Sequence, residues 1–151
     1  MTQERDLGAL ARSIVDANRF MALGTADASG TPWVSPVWYA PLSSREYVWV
    51  SRPGTRHSHN LAERPEVAIA IYDSHRPGTW AAVYLVAVAE ELEEVDVPLE
   101  AFNRRSEAQG LRAWSRAEVV SPGEFRLYRA TAIEQYVLDD HDSRLPVPPE
   151  S

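Results

Sequence analysis

Two neighbouring segments decide the fold of this chain: Thr31-Pro-Trp-Val-Ser-Pro-Val-Trp-Tyr39 and Val48-Trp-Val-Ser-Arg-Pro-Gly-Thr-Arg-His57. The first is rich in β-branched and aromatic residues, which favour strands, and the second begins in the same way. The second then passes through a proline and a glycine to Thr55, a residue type that commonly caps helices. We therefore predict two strands followed directly by the start of a helix.

The predicted helix start carries candidate ligand-binding residues. Thr55 offers a hydroxyl, Arg56 a guanidinium and His57 an imidazole. The first turn of a helix has free N–H groups and the positive end of the helix dipole, so it attracts anions. Arg56 is the first candidate because its planar guanidinium binds phosphate through parallel hydrogen bonds. Apolar strands beside such a helix start indicate a phosphorylated aromatic cofactor.

The composition is that of one globular domain. The chain has 151 residues, of which 44% are hydrophobic, and this is enough to bury a core. We assign residues 1–140 to a single domain and residues 141–151 to a proline-rich tail. No apolar run approaches the roughly 18 residues that a membrane span needs, and the first residues lack the apolar region of a signal peptide. We expect a cytoplasmic protein that does not bind membranes.

The sequence contains no cysteine, and all 15 of its basic residues are arginine. Disulfides, thiolate nucleophiles and sulfur-based metal sites are thereby excluded, and so is pyridoxal phosphate held covalently by a lysine. The net charge of −7 argues against nucleic-acid binding, because phosphate backbones are bound by clustered positive charge. Residues 52–64 are an exception, with three arginines against one glutamate. This local positive charge suits a single small ligand.

Hydrophobic periodicity and turn residues predict the secondary structure. Helices are predicted over about residues 4–17, from Arg56 to about Ala62, and from Pro98 towards Gly110. The predicted strands are Arg19–Ala26, Pro32–Ala40, Tyr47–Val50, Val67–Tyr72, Ala81–Leu92 and Phe125–Leu138. We expect the first three strands to form a meander and the fifth to be central. Six strands without a regular strand–helix alternation favour a mainly β (α+β) fold, a small antiparallel barrel.

Four segments in this order resemble the pyridoxamine 5′-phosphate oxidase-like family of flavin-binding split barrels. They are Phe20–Ala26, Gly30–Trp38, Thr55–Ala62 and Arg64–Ala68. The resemblance covers about residues 5–138 and implies a six-stranded antiparallel split β-barrel with a few short flanking helices. It also implies a homodimer with cofactor sites in the grooves between subunits. FMN is the usual ligand of this family, whereas some members use the deazaflavin F420 or bind haem.

The resemblance also implies which residues hold the cofactor. The strand beside the cofactor ring comprises Val34, Ser35, Pro36, Val37 and Trp38. The next strand ends near the ribityl chain at Val50 and Ser51, and the phosphate is held by Thr55, Arg56 and His57. His57 stands where the family often has lysine, so phosphate binding is expected to weaken as the pH rises above about 6.5.

The sequence departs from the family at positions that contact the cofactor. Ala81 stands where flavin-binding relatives often have glutamine, Val86-Ala87 where near relatives have Glu-Gly, and Gln135-Tyr136 where a tryptophan is common. These changes remove polar contacts to the ring or its tail. Two hypotheses follow: an FMN- or F420-dependent oxidoreductase acting on a small organic substrate, and a flavin- or haem-binding protein without turnover.

Several of these residues have simpler interpretations. Trp33, Trp38 and Trp49 line either a flavin pocket or the core or a subunit interface. His57 and His59 stand two residues apart, so on a helix their rings point to different faces and make a poor metal site. We predict no metal site.

The histidines also raise the question of acid–base or nucleophilic catalysis. Ser35, Ser51 and Ser58 near His57 suggest a nucleophile and a base, but no Gly-x-Ser-x-Gly motif or arranged acid supports a hydrolase. His75, in the predicted loop Asp73–Gly78, and His141, also in a predicted loop, carry no evident signal. We assign no catalytic residue, because in the oxidoreductase hypothesis the cofactor performs the redox chemistry.

Overall fold

The computed structural model describes residues 6–75, 81–138 and 143–148. Within these ranges, three α-helices flank one eight-stranded sheet. The helices are α1 (Leu7–Ala17), α2 (Arg56–Glu63) and α3 (Asp96–Ala108). The strands are β1 (Phe20–Ala26), β2 (Pro32–Trp38), β3 (Ala40–Pro41), β4 (Glu46–Ser51), β5 (Glu66–Tyr72), β6 (Ala82–Glu91), β7 (Arg126–Leu138) and β8 (Arg144–Pro146).

The sheet curls into a barrel. Its strand order is β2-β1-β5-β6-β7-β4-β3, with β8 added beside β7. β2 and β3 therefore lie at opposite edges, yet only Tyr39 separates them along the chain. Consecutive Cα atoms are about 3.8 Å apart, so the two edges must come together. The split-barrel prediction is confirmed, with the short strands β3 and β8 added to the six predicted ones, and β6 is central as predicted.

The predicted meander of the first three strands is wrong. β1 pairs with β2, but β4 pairs with β7 and β3. The predicted strand Pro32–Ala40 is interrupted at Tyr39, whose buried hydroxyl donates a 2.6 Å hydrogen bond to the carbonyl oxygen of Val15 in α1. This contact holds the chain at α1, and the strand resumes on the other edge of the sheet.

The helix boundaries follow their capping residues. The Asp6 carboxylate accepts a 3.0 Å hydrogen bond from the Ala9 N–H, and Asn18 ends α1 as predicted. Thr55 Oγ1 accepts one of 3.2 Å from the Ser58 N–H at the start of α2. The helix predicted to start at Pro98 begins two residues earlier.

Two apolar clusters form the interior. The larger one lies between the inner face of the sheet and α1, and it includes Leu23, Leu85 and Trp49. The smaller one lies beneath α3 and includes Leu99 and Phe102. Trp49 is fully buried and stacks on Tyr128 with 5.8 Å between ring centroids, so it is a core residue.

The outer face of β2, β1 and β5 is apolar and exposed. Val34 is 64% exposed, Phe20 58% and Tyr72 56%. Small residues of β1 and β5 lie between these side chains, with Gly24 opposite both Val34 and Ala68 in the strand registers. A contiguous exposed apolar surface of this kind indicates a contact surface for a ligand or a partner.

The proline-rich tail contributes to the sheet. Residues 144–146 pair with Tyr136–Leu138 of β7, and Val147 packs against the larger core. Backbone hydrogen bonds therefore hold residues 144–147 to the barrel. His141 and the end of the predicted loop Asp73–Gly78 lie outside the described residues. Among the helices of the described ranges, none is long and apolar enough to cross a bilayer.

Candidate functional site

Three of the residues predicted to bind a cofactor, Ser35, Ser51 and His57, meet at the ring of His57. This ring lies between β2 and β4, two strands that do not pair with each other. Its Nε2 is 2.9 Å from Ser51 Oγ of β4, and its Nδ1 is 3.1 Å from Ser35 Oγ of β2. His57 therefore connects the two strands across the open side of the barrel. The start of α2 is fixed beside β2 by this contact.

His57 is uncharged at neutral pH. Its side chain is buried, and burial lowers its pKa from the usual value of 6.5 because a low-dielectric environment disfavours the charged ring. In the neutral ring one nitrogen donates and the other accepts, and a serine hydroxyl does either. Both ring nitrogens are occupied by serines in this conformation. The backbone N–H is thus the group of His57 that is left for an anion.

Arg56 lies on the outer side of the same helical turn. Its guanidinium carbon is 4.2 Å from the centroid of the partly exposed Trp33 ring, a cation–π arrangement. Trp33 thereby holds the guanidinium near the turn between β1 and β2. In that turn, hydrogen bonds from Ser29 and Thr31, with a smaller effect of the Arg56 charge, lower the pKa of Asp27. Arg56 is exposed to solvent and accessible to a ligand.

The first turn of α2 keeps two backbone donors free. The Ser58 N–H is capped by Thr55, and the His59 N–H donates to the carbonyl oxygen of Thr55 at 3.0 Å. The N–H groups of Arg56 and His57 have no acceptor within the described part of the chain. The Thr55 hydroxyl is itself within 2.7 Å of Ser58 Oγ. An anion at this position would meet two N–H groups and one guanidinium.

The other predicted residues divide between the surface and the two cores. Val34 and Pro36 are exposed on the outer face of β2. Val37 belongs to the larger core, whereas Trp38 and Val50 pack against the smaller one. Trp38 and Val50 also border a cavity of about 280 Å³ beneath α3. Val34 and Pro36 therefore lie on the opposite face of β2 from Ser35, which contacts α2.

The basic segment 52–64 does not form one cluster. Arg52 pairs with Glu124 at 3.1 Å and its guanidinium lies over the Phe125 ring. Arg64 donates a 2.9 Å hydrogen bond to the carbonyl oxygen of Ala28. Arg56 is the arginine of this segment that remains at the start of α2. His59 is exposed while His57 is buried, so the two rings lie on different faces, as their spacing predicts.

The contact between Ser51 and His57 has the distance of a nucleophile–base pair but lacks an orienting acid. In a catalytic triad a carboxylate accepts from the second ring nitrogen and stabilises the charged imidazole. Here that nitrogen faces the hydroxyl of Ser35. Ser51 is also buried, so a substrate has little access to its hydroxyl. The arrangement connects two strands and does not support a hydrolase.

A second candidate site was missed in the sequence. A cleft of about 700 Å³ lies at the end of the outer face, bordered by Arg19, Phe20, Tyr72 and His75. The His75 ring is exposed, and its Nδ1 is 3.5 Å from an Asp73 carboxylate oxygen. Sequence patterns did not single out His75, because the cleft is assembled from segments far apart along the chain.

The family model described as pyridoxamine 5′-phosphate oxidase matches residues 7–144. A search of curated proteins by sequence finds no match.

Solved structures share the fold at low sequence identity. The haem storage protein HutZ from Vibrio cholerae is 20% identical, with a TM-score of 0.67 over 88% of this chain and 95% of that chain. A haem-binding protein from Mycobacterium smegmatis is 22% identical, with a TM-score of 0.70 over 96% of this chain and 59% of that one. The conserved protein Rv2991 from Mycobacterium tuberculosis is 20% identical, with a TM-score of 0.70 over 94% and 92%.

Proposed function

Because the chain belongs to the pyridoxamine 5′-phosphate oxidase family, we propose that it is an oxidoreductase that binds FMN or the deazaflavin F420 and acts on a small organic substrate. The observation that carries this proposal is the convergence of β2, β4 and the start of α2 on His57. It brings a helix start suited to anions beside β2, the edge strand whose outer face is apolar and exposed. A phosphorylated planar cofactor needs both features together.

The phosphate end of such a cofactor suits the first turn of α2. The Arg56 guanidinium and the N–H groups of Arg56 and His57 would hold it. Charge-assisted hydrogen bonds of this type are roughly twice as strong as those between neutral groups. Contact with Trp33 already restricts the Arg56 side chain, so less side-chain entropy is lost when the phosphate binds.

The planar part of the cofactor suits the outer face of β2 and β1. Val34 and Pro36 lie opposite Gly24 and Ala22 of β1, and the two β1 residues have little or no side chain. A Cβ added to Gly24 would lie 3.2 Å from the carbonyl oxygen of Ala68, so β1 and β5 approach closely here. The surface between the exposed side chains of Val34, Phe20 and Tyr72 is therefore flat. When bound, the cofactor supplies the hydride chemistry, and these residues bind and orient it.

We further propose that the exposed face pairs with a second copy of this chain. The resemblance to split barrels implies a dimer, and Val34, Phe20 and Tyr72 form an apolar surface that one protomer leaves uncovered. A cofactor lying on this surface would be covered by the partner subunit. The dimer would then complete the cofactor site.

Sedimentation velocity tests the dimer. We expect wild-type protein to sediment as a dimer and Val34→Asp to sediment as a monomer, because the substitution buries a charge in an apolar interface. Val97→Asp is the matched control, since Val97 is 72% exposed but lies on α3. A monomeric wild-type protein that still binds the cofactor would refute the dimeric site.

Titration with FMN and with F420 tests the cofactor. We expect one of the two to lose its fluorescence on saturable binding, and the reduced form of that cofactor to be reoxidised when a substrate is added. The protein purified with a bound flavin would show the absorption of an oxidised flavin. A protein that binds neither cofactor at micromolar concentrations would overturn the oxidoreductase proposal.

Haem binding without turnover is the second candidate function, and the cleft beside His75 favours it. The cleft of about 700 Å³ offers apolar walls from Phe20 and Tyr72, a guanidinium from Arg19 and an exposed imidazole. Imidazole is a common iron ligand, and arginine suits carboxylate groups such as haem propionates. Two structures with this fold come from proteins named for haem storage and haem binding.

Haemin titration separates the two candidates. If haem is the ligand, we expect a sharp Soret band that His75→Ala abolishes and His59→Ala leaves unchanged. The oxidoreductase proposal predicts the opposite ranking of ligands, with tight FMN or F420 binding and only weak, histidine-independent haemin binding.

A further inference from the structure

A separate cavity of about 190 Å³ lies between α1, the turn that joins β3 to β4, and the last described residues of the chain. The polar residues on its wall are Arg12, Asp16, Ser43, Ser44, Arg45, Tyr47 and Gln135. None of the ten residues predicted to bind the cofactor contributes to this wall. The cavity is thus distinct from the site at α2.

Two buried polar side chains face this cavity without a hydrogen-bond partner. Tyr47 is 1% exposed and Gln135 is 7% exposed. Across residues 6–75, 81–138 and 143–148, neither the Tyr47 hydroxyl nor the Gln135 amide forms a hydrogen bond with another protein group. The polar atoms of both side chains are open to the cavity, since the buried side-chain atoms that lack a partner in the described residues belong to Trp49, Arg105 and Arg129. The two groups are therefore available to a polar ligand in the cavity.

The polar groups of the wall are mainly donors. Burial raises the pKa of Tyr47 to about 12, with opposing smaller effects of Arg45 and Asp16, so its hydroxyl stays protonated and donates. The guanidinium of Arg45 forms no ion pair among the described residues. Together with the Gln135 NH₂ group, these donors call for a ligand rich in acceptors. A carboxylate meets this requirement best.

The rest of the wall sets the size and polarity of the ligand body. Val15, Leu42 and Val147 contribute apolar surface. The volume is below the roughly 300 Å³ at which pockets for drug-sized ligands begin, so the ligand is about as large as one amino acid. The carboxylate of Asp16, on the same wall, is complementary to an ammonium group.

We propose that this cavity binds a small carboxylate with a short aliphatic body, held by Arg45, Tyr47 and Gln135. Two sources share this chemistry: a simple carboxylic acid and an α-amino acid whose ammonium group faces Asp16. The cavity does not depend on the cofactor site, so the proposal holds whether or not the protein binds FMN.

Isothermal titration calorimetry of the full chain with 4-methylpentanoate, leucine and 4-methylpentanamide tests the proposal. We expect at least one of the two carboxylates to bind and the neutral amide to bind at least about tenfold more weakly, because it loses the charge-assisted hydrogen bonds. Tighter binding of leucine identifies an amino acid, and tighter binding of 4-methylpentanoate identifies a simple acid. Absence of binding by both carboxylates at millimolar concentration, or equal binding of the amide, overturns the proposal.

Substitutions of the wall residues test whether the carboxylate binds in this cavity. Arg45→Gln should weaken the carboxylate about tenfold, while Arg104→Gln, an exposed arginine of α3, should not change it. Binding should also shift the side-chain amide resonances of Gln135, assigned by their loss in Gln135→Leu. Unchanged affinity in Arg45→Gln, with those resonances unmoved, would place the ligand elsewhere and refute the site. A circular-dichroism melt confirms that each variant is folded.

Discussion

The inner and outer faces of the same strands differ in how fully their apolar side chains are covered. On the inner face, Leu23 of β1 and Ile69 of β5 are at most 2% exposed. On the outer face of β1 and β5, Phe20 and Tyr72 are more than half exposed. Both sets are apolar, so composition alone does not distinguish them. The inner set stabilises the folded chain, and the outer set is exposed.

The first turn of α2 shows the same division between two adjacent residues. His57 points inward and connects β2 to β4, whereas Arg56 points outward onto Trp33. Both ring nitrogens of the inward residue are hydrogen-bonded, whereas the outward residue is exposed and keeps its charge accessible. One helix start thus connects two strands on one side and exposes a guanidinium on the other.

Truncating the inner face should have the largest effect. Leu23→Ala removes a side chain that is fully buried in the larger core, so we expect the free energy of unfolding to fall by about 2–5 kcal/mol. Urea unfolding followed by circular dichroism measures this loss. It should be the same at every protein concentration, because the core lies within one protomer.

The outer face supplies the contrast for that experiment. Val34→Ala, at the same end of the sheet, should change unfolding only at concentrations at which the chain self-associates. If Val34→Ala costs as much as Leu23→Ala at the lowest concentration, the two faces are equally important to the protomer, and the comparison fails.

Much of the fold could be predicted because its signals are local. The alternation of apolar residues identified the six long strands, and Asn18 and Thr55 marked helix ends through their side chains. Gly30, between β1 and β2, has a φ of 91°, which glycine adopts without strain. Each of these features depends on a few neighbouring residues and is therefore visible in the sequence.

The interruption at Tyr39 could not be predicted in this way. The residues around it favour a strand whether the strand continues or crosses to another edge. The crossing depends on a hydrogen bond from Tyr39 to Val15, 24 residues away. The position of His57 between Ser35 and Ser51 has the same origin, since the sequence indicated its place on a helix but not the two strands it would connect.

Substitution of Arg56, the outward residue of α2, should have the second largest effect, on the affinity for the cofactor. Arg56→Ala should weaken binding of the phosphorylated cofactor by about 1.5–3 kcal/mol, the usual value of a hydrogen bond to a charged group. Fluorescence titration with FMN or F420 measures it. Arg104→Ala should bind like the parent, because that arginine pairs with Glu100 on α3. Unchanged affinity in Arg56→Ala would show that the anion does not bind at this turn.

Thr55, which caps the start of α2, should have a smaller effect on the stability of the protein. Thr55→Ala removes the acceptor for the Ser58 N–H and should lower the free energy of unfolding by about 1 kcal/mol. Thr55→Ser keeps the hydroxyl and should retain most of that stability. Thermal unfolding of the two variants provides the measurement. Equal losses would mean that the methyl group of Thr55 matters more than its cap.

His57, the inward residue of α2, should affect mainly how the free energy of unfolding depends on pH. His57 has a lowered pKa in the folded state because it is buried, whereas in the unfolded chain its pKa is near the usual value of 6.5. Between these two values the unfolded state binds more protons. The free energy of unfolding should therefore fall as the pH decreases below about 6.5, down to the lowered folded-state pKa.

Urea unfolding of His57→Gln and His59→Gln across this pH range isolates the effect. His57→Gln should lose part of the decline below about pH 6.5, because glutamine does not titrate. His59 is exposed on the same helix, so His59→Gln should keep the full decline of the wild-type protein. Identical slopes in both variants would mean that His57 takes up its proton as readily in the barrel as in water. In that case His57 would not belong to the protected inner side of the comparison.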